Sequence, residues 1–249
     1  TAVLGSVPYE PETLRVIREG AAAAGAPLLT GVLELERTAV TPAAHQGLLY
    51  YNAAWLYSAT GEALGRYRKH HLVPFGEYIP LDKHIPVLQR LAPTGVSCTP
   101  GRKGGVLHVA HAAGKTLALG PLICFEDTVP GLSRAAVQAG ARLLVLMTND
   151  AWFNGSVEPL QHLNQSVFRA VENGVPLVRA ANSGVTCAVD AVGRVRRLES
   201  NGKSMDFDGF FVTPVAVMDT PLDAPYTRWG DLLLGLPGAV VLFVLLVTG

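Results

Sequence analysis

The 249-residue chain is long enough for one large α/β domain with a sizeable core. Its 20 basic and 20 acidic residues cancel, and no basic stripe argues for a nucleic-acid partner. Hydrophobic residues make up 49% and charged residues 16%, with a mean hydropathy of +0.29, which points to membrane contact.

Residues 10–24 read as a helix that Gly25 and Pro27 end. Strand-like runs follow at 27–35 and 48–58, and the turn residues after the second suit an antiparallel hairpin. Residues 71–104 break the regular pattern, being rich in proline and glycine yet apolar. A loop of that length inside a compact domain is functional or mobile. Strands are expected near 105–111 and 115–124, a helix near 129–140 and a strand at 142–148. The helix at 159–173 has the clearest limits: Pro159 suits its first turn, and Gly174 with Pro176 stops it. Leu160, Leu163, Val167, Ala170 and Val171 are assigned to its apolar face. Gln161, His162, Gln165, Arg169 and Glu172 are assigned elsewhere on its surface. Strands near 176–181, 184–190, 194–199 and 210–218 complete the domain, with 190–193 as a hairpin turn. Sheets covered by helices, an α/β layered sandwich, are the expected architecture.

Residues 232–249 (LLLGLPGAVVLFVLLVTG) carry no charge and read as the start of a transmembrane helix, with a buried core helix as the alternative. The chain divides into a catalytic domain at 1–225 and a juxtamembrane and partial membrane segment at 226–249. No secretory signal is read at its start. The expectation is a piece of a longer membrane protein.

Cys124 carries the chemistry. It ends an apolar run (115–124) and precedes Phe125, Glu126 and Asp127, so a strand would stop at a sulfur with helical N–H groups beside it. That is how a fold displays a nucleophile; a buried structural cysteine is the alternative. Lys69, in RYRKHHL, is a surface charge or an ammonium that stabilises a thiolate and an oxyanion. Glu77 sits in an apolar, proline-bounded loop, as a proton-transfer group or a loop brace. Glu126 and Asp127 otherwise read as helix-capping acids. His70 and His71 are adjacent, and on a strand they would point to opposite faces. With no HExxH and no CxxC motif, no metal is expected. His162 reads as a hydrogen-bonding brace, and Cys187 as a small core hydrophobe. Three cysteines cannot all pair, so there is no disulfide scaffold, and a Cys98–Cys187 bridge is the less favoured reading.

The segments RYRKHHLVPFGEYIP (66–80), PLICFED (121–127), TNDAWFNGS (148–156), residues 161–195 and YTRWGD (226–231) occur in one order along nearly the whole chain. Together they resemble the nitrilase (carbon–nitrogen hydrolase) superfamily, and within it the membrane branch of apolipoprotein N-acyltransferases. LVPFGEYIP and TNDAWF are the specific segments. The resemblance implies a four-layer αββα sandwich and a Glu–Lys–Cys triad, with Lys69 and Cys124 as its last two members. It makes Glu77 a supporting acid/base and Glu126 the acidic residue two positions after the nucleophile. Phe125 departs from the tyrosine expected there. The triad glutamate is expected immediately ahead of Thr1, and none of Glu10, Glu12, Glu34 or Glu36 matches its context.

The implied reaction is ping-pong acyl transfer without a cofactor. A phospholipid is the acyl donor, and the α-amine of a diacylglyceryl-cysteine lipoprotein is the acceptor. Loop 71–100 would shelter the lipid chains. The implied location is the bacterial inner membrane, with the catalytic domain facing the periplasm. Two other readings remain at this stage. One is an amidase or nitrilase that passes the acyl group to water. The other is an inactive, membrane-anchored lipid- or lipoprotein-binding domain.

Overall fold

The structure is a computed structural model. It describes residues 2–7, 11–39, 47–82, 84–85, 87–88, 97–101, 105–111, 114–153, 155–233, 235, 238 and 244–247. Two sheets organise it.

The first sheet has the order β1 (Ala2–Val7), β2 (Leu28–Arg37), β3 (Leu48–Tyr57), β4 (Ala63–Arg68). The expected hairpin is β2–β3, paired antiparallel from Leu28↔Tyr57 to Arg37↔Leu48. The two outer strands are additions to the sequence reading. β1 runs parallel to β2, a non-local pairing with no local signature. In β4 (ALGRYR) two arginines and a glycine hide the alternation, and only Tyr67 is buried. Helix α1 (Pro11–Ala24) covers the outer face, where Ile17 meets Val32, Tyr51, Ala53 and Tyr57. Beside that cluster, Glu34 takes both Arg66 and Arg68, and the Arg68 guanidinium stacks 3.7 Å from the Tyr51 ring centre.

The second sheet has the order β10 (Val195–Arg197), β9 (Cys187–Val189), β8 (Leu177–Asn182), β7 (Leu143–Asn149), β6 (Thr116–Ile123), β5 (Leu107–Ala110). β6, β7 and β8 are parallel, so their carboxyl ends share one edge. Period-two alternation sorts the side chains of β6 and β7. Leu119, Ile123 and Met147 face the first sheet, meeting Ala54, Leu56 and Tyr67. Leu122, Leu144 and Leu146 face α2 (Pro130–Gln138) and α3 (Glu158–Asn173), meeting Val137, Leu163 and Ala170. The stacking is therefore helix, sheet, sheet, helix. Truncating any of these fully buried leucines to alanine would cost about 2–5 kcal/mol.

α3 starts and stops near the expected limits. Gly174, at φ +63°, caps it in the left-handed conformation, which a side chain would strain. Its faces differ from the sequence reading. Leu163 and Ala170 are core, but Leu160 and Val171 are exposed, while His162 and Arg169 are buried. The helix buries part of its polar side because charged partners wait there.

Residues 210–218 form no strand. Phe211, Thr213 and Val215 half-bury one face of the alternation, but no strand pairs with it: Phe210 and Val212 on the other face are each 87% exposed, and Pro214 has no N–H for a ladder. The turn at 190–193 forms as expected, with Gly193 N–H donating to the Asp190 carbonyl and Asp190 Oδ1 accepting from Val192 and Arg194. Helix α4 (Pro225–Trp229) is held onto α2 by Arg134, which donates to the Tyr226, Thr227 and Arg228 carbonyls. Most of 232–249, where a transmembrane helix was expected, lies outside the described residues. Among the described residues no helix is long and apolar enough to cross a membrane.

Candidate active site

β6 ends at Ile123, and Cys124 opens a 3-10 turn, Cys124–Thr128. Cys124 sits at φ +52°, a left-handed conformation rare for a side-chain-bearing residue. Such strain costs about 1–3 kcal/mol and persists only where the surroundings hold it. The thiol is half-buried, at the carboxyl edge of the parallel strands, with the N–H groups of the turn beside it. Phe125 next to it is exposed.

Glu126 holds the turn from one side. It is fully buried, and its carboxylate accepts from the backbone N–H of Ile123 (2.8 Å), His70 (2.7 Å) and His71 (3.0 Å) and from the Tyr67 hydroxyl (2.9 Å). Burial pushes its carboxyl above the usual range, and these four donors oppose that push. All four donate, so the group acts as an acceptor. His70 and His71 lie past the end of β4, and both turn their backbone N–H groups toward this one carboxylate.

Lys69 follows β4 directly. It is 1% exposed, not a surface charge, and its Nζ lies 2.7 Å from Glu77 Oε2. Glu77 also accepts from Asn52 Nδ2 (2.7 Å) and from Val73 N–H (2.9 Å). Every partner is a donor, so Glu77 pairs with and orients the ammonium. The Lys69 backbone is pinned too, through Asn52 O and Gly101 N. The structure thus joins Lys69 to Glu77 directly. It joins both to the Cys124 turn through Glu126, whose oxygens hold the two residues after Lys69.

Cys98 lies beside the same pair, its N–H donating to the Glu77 carbonyl at 2.7 Å. Burial, then the Glu77 charge, pushes its thiol up to about 11 against the pull of Lys69, so it stays protonated at neutral pH. It lines a cavity of about 480 Å³ with His70, His71, Tyr78, Asp82 and His84. Cys98, Cys124 and Cys187 are all free thiols, and Cys187 is a fully buried core residue as expected. Among the described residues no group of three ligating side chains is placed to hold a metal ion.

Behind the turn lies a second cluster that sequence reading touched only at His162 and Asp127. Asp127, Asp150, His162, Ser166 and Arg179 are buried together. Asn52 and Tyr67 were also missed as partners of the site. Neither stands in a pattern that marks it, because their roles come from strands that meet only in the fold.

The carbon-nitrogen hydrolase family profile matches residues 6–209. Among curated relatives, the apolipoprotein N-acyltransferase of Geobacter metallireducens is 48% identical over 149 residues, covering 60% of this chain and 28% of that protein. That of Bdellovibrio bacteriovorus is 34% identical over 212 residues, covering 82% and 38%. The chain spans about a third of the length of these relatives. Among solved structures, a carbon-nitrogen hydrolase from Helicobacter pylori aligns with a TM-score of 0.55 at 19% identity, covering 75% of this chain and 63% of that one. An amidase from Nesterenkonia aligns at 0.51 and 23% identity, covering 75% and 62%. These two likenesses concern the fold alone. With the profile spanning both sheets and the Cys124 turn, the chain belongs to the carbon-nitrogen hydrolase family.

Proposed function

We propose that this chain carries the catalytic domain of an apolipoprotein N-acyltransferase. Cys124 is its nucleophile, Lys69 stabilises the thiolate and the oxyanion, and Glu77 orients Lys69. The observation that carries this reading is the Glu126 carboxylate. It ties a strained, half-exposed cysteine to the loop that holds a buried ammonium. The names of the relatives supply the acyl-transfer chemistry.

In the first half-reaction a base takes the Cys124 proton, and sulfur attacks the ester carbonyl carbon of a phospholipid. The carbonyl oxygen becomes an oxyanion facing Lys69 and the N–H groups of the turn. The C–O bond then breaks, the lysophospholipid oxygen takes the proton, and an S-acyl enzyme remains. In the second half-reaction the α-amine of a diacylglyceryl-cysteine lipoprotein attacks the thioester. An amide forms, the C–S bond breaks, and the thiol regains a proton. Exposed apolar side chains suit such substrates: Phe75, Leu81 and Val87 before the site, Phe125 within the turn, and Trp152 and Phe153 after β7. A small polar amide needs no such rim, which disfavours the amidase reading. The domain at 1–225 and a membrane-spanning segment after residue 231 belong to the same proposal. So does a periplasm-facing site at the bacterial inner membrane.

Intact mass of the full-length protein after mixing with phospholipid tests this. An added acyl mass is expected on the wild type and not on Cys124→Ala. An adduct that persists in Cys124→Ala would sink the reading.

A further inference from the structure

The cluster behind the nucleophile turn is not used by the chemistry above. Asp127 Oδ1 accepts from His162 Nε2 at 2.8 Å, and its Oδ2 accepts from Ser166 Oγ at 2.6 Å and lies 3.3 Å from Arg179 Nη1. The Asp127 carbonyl accepts from Arg169 at 2.7 Å. Asp150 mirrors it: Oδ1 accepts from Thr148 Oγ1 at 2.8 Å and lies 3.1 Å from His162 Nδ1, while Oδ2 accepts from Arg179 Nη2 at 2.7 Å. His162 Nδ1 is also 3.0 Å from Arg179 Nη2. Charge balance decides its state. Two buried carboxylates face two cationic side chains, and only the imidazolium leaves the cluster neutral. Glu158, partly buried at the start of α3, adds a further negative charge at the rim.

The cluster's placement matters more than its strength. Asp127 is three residues past Cys124, inside the turn whose backbone is strained. Asp150 directly follows β7 and opens the segment that carries the exposed Trp152 and Phe153. Gly184 makes room for it, since a Cβ there would stand 2.2 Å from Asp150 Oδ2. His162, reaching up from α3, is the side chain that touches both carboxylates along with Arg179.

We propose that His162 is a positioning residue: by bridging Asp127 and Asp150 it holds the strained Cys124 turn and couples it to the segment bearing Trp152 and Phe153. The inference rests on Cys124 as the nucleophile. It assigns His162 no contact with substrate. Removing the bridge lets the turn relax, and sub-ångström relaxation is enough to misplace a nucleophile.

The test is the rate at which iodoacetamide alkylates Cys124 in the full-length protein, read by mass, in the wild type and in His162→Gln. Acyl-adduct formation from phospholipid is measured in parallel, and folding by circular dichroism. The expected result is a fall of about tenfold in both rates in a folded variant. Asp150→Asn leaves the turn untouched and is expected to slow alkylation by about threefold, transmitted through His162 and Arg179, which both span the two carboxylates. His162→Asn takes the place of His162→Gln if the latter does not fold. Alkylation within about twofold of wild type in either folded variant, with only thermal stability lowered, would reduce the cluster to a structural brace and overturn the proposal. Wild type that alkylates at Cys124 but takes no acyl group would instead overturn the functional reading and leave this comparison standing.

Discussion

Glu126 and Asp127 are neighbours in one short turn, both fully buried, and they are held by different chemistry. Glu126 takes three backbone N–H groups and one tyrosine hydroxyl. Asp127 takes side chains: an imidazole, a hydroxyl and a guanidinium. Backbone donors do not titrate and survive most substitutions, so the donors on the Glu126 side of the turn are robust to mutation. Side-chain donors can be deleted one at a time, and the imidazole among them titrates, so the Asp127 side is where mutation and alkaline pH reach Cys124. The same strained cysteine is thus fixed from two directions with unequal vulnerability.

Substitutions on the two sides of the turn should separate them, beginning with the largest effect. Cys124→Ala should abolish the acyl adduct completely, which sets the floor for every other variant. Arg179→Met strips one cation from between two buried carboxylates. It should cost about 3–5 kcal/mol of stability in urea unfolding, whereas an effect below about 1 kcal/mol would mean water reaches the cluster. Lys69→Met should lower the acylation rate by about 10²-fold or more with the fold intact, as loss of an oxyanion donor does. Single-turnover kinetics would read it.

The pH dependence separates the two sides next. Burial works to lower the His162 pKa, but hydrogen bonds to Asp127 and Asp150 overcome it and raise the value from 6.5 to about 10. A raised pKa means that its contribution to stability is complete below about pH 6.5 and is lost as pH rises through about 10. Asp150 has the opposite sign. Burial opposes ionisation there, yet His162 and Arg179 hold its carboxyl below the usual 3.8, so its contribution is present above that value and fades in acid. Unfolding midpoints across pH should therefore fall on the alkaline side in wild type and flatten there in His162→Gln. An unchanged alkaline limb would place the titration elsewhere. The smallest effect is expected at Tyr67→Phe, which removes one of four donors to Glu126. About 1 kcal/mol and a near-normal acylation rate are the expected outcome.

Legibility followed the same division. The β2–β3 hairpin, the strand ending at Cys124 and the limits of α3 were readable because periodicity and turn residues are local signals. β4 was not, since RYR reads as a charged stretch until Tyr67 is seen to reach Glu126 in the turn at the edge of the other sheet. The reverse error arose at 210–218, where a strand-like alternation meets no sheet.

The element order around Cys124, the family resemblance and the candidates Lys69, Glu77, Cys124 and Glu126 were legible in the chain. These rest on residue type and spacing, which a linear chain displays. Tertiary packing was needed to place Lys69 in its buried pair with Glu77. It alone showed that Glu126 bridges two sheets and that His162 on α3 is clamped between carboxylates 35 positions behind it and 12 positions behind it in the chain. Burial and charge pairing are properties of what surrounds a side chain, and distant segments supply those surroundings only once the layers have closed.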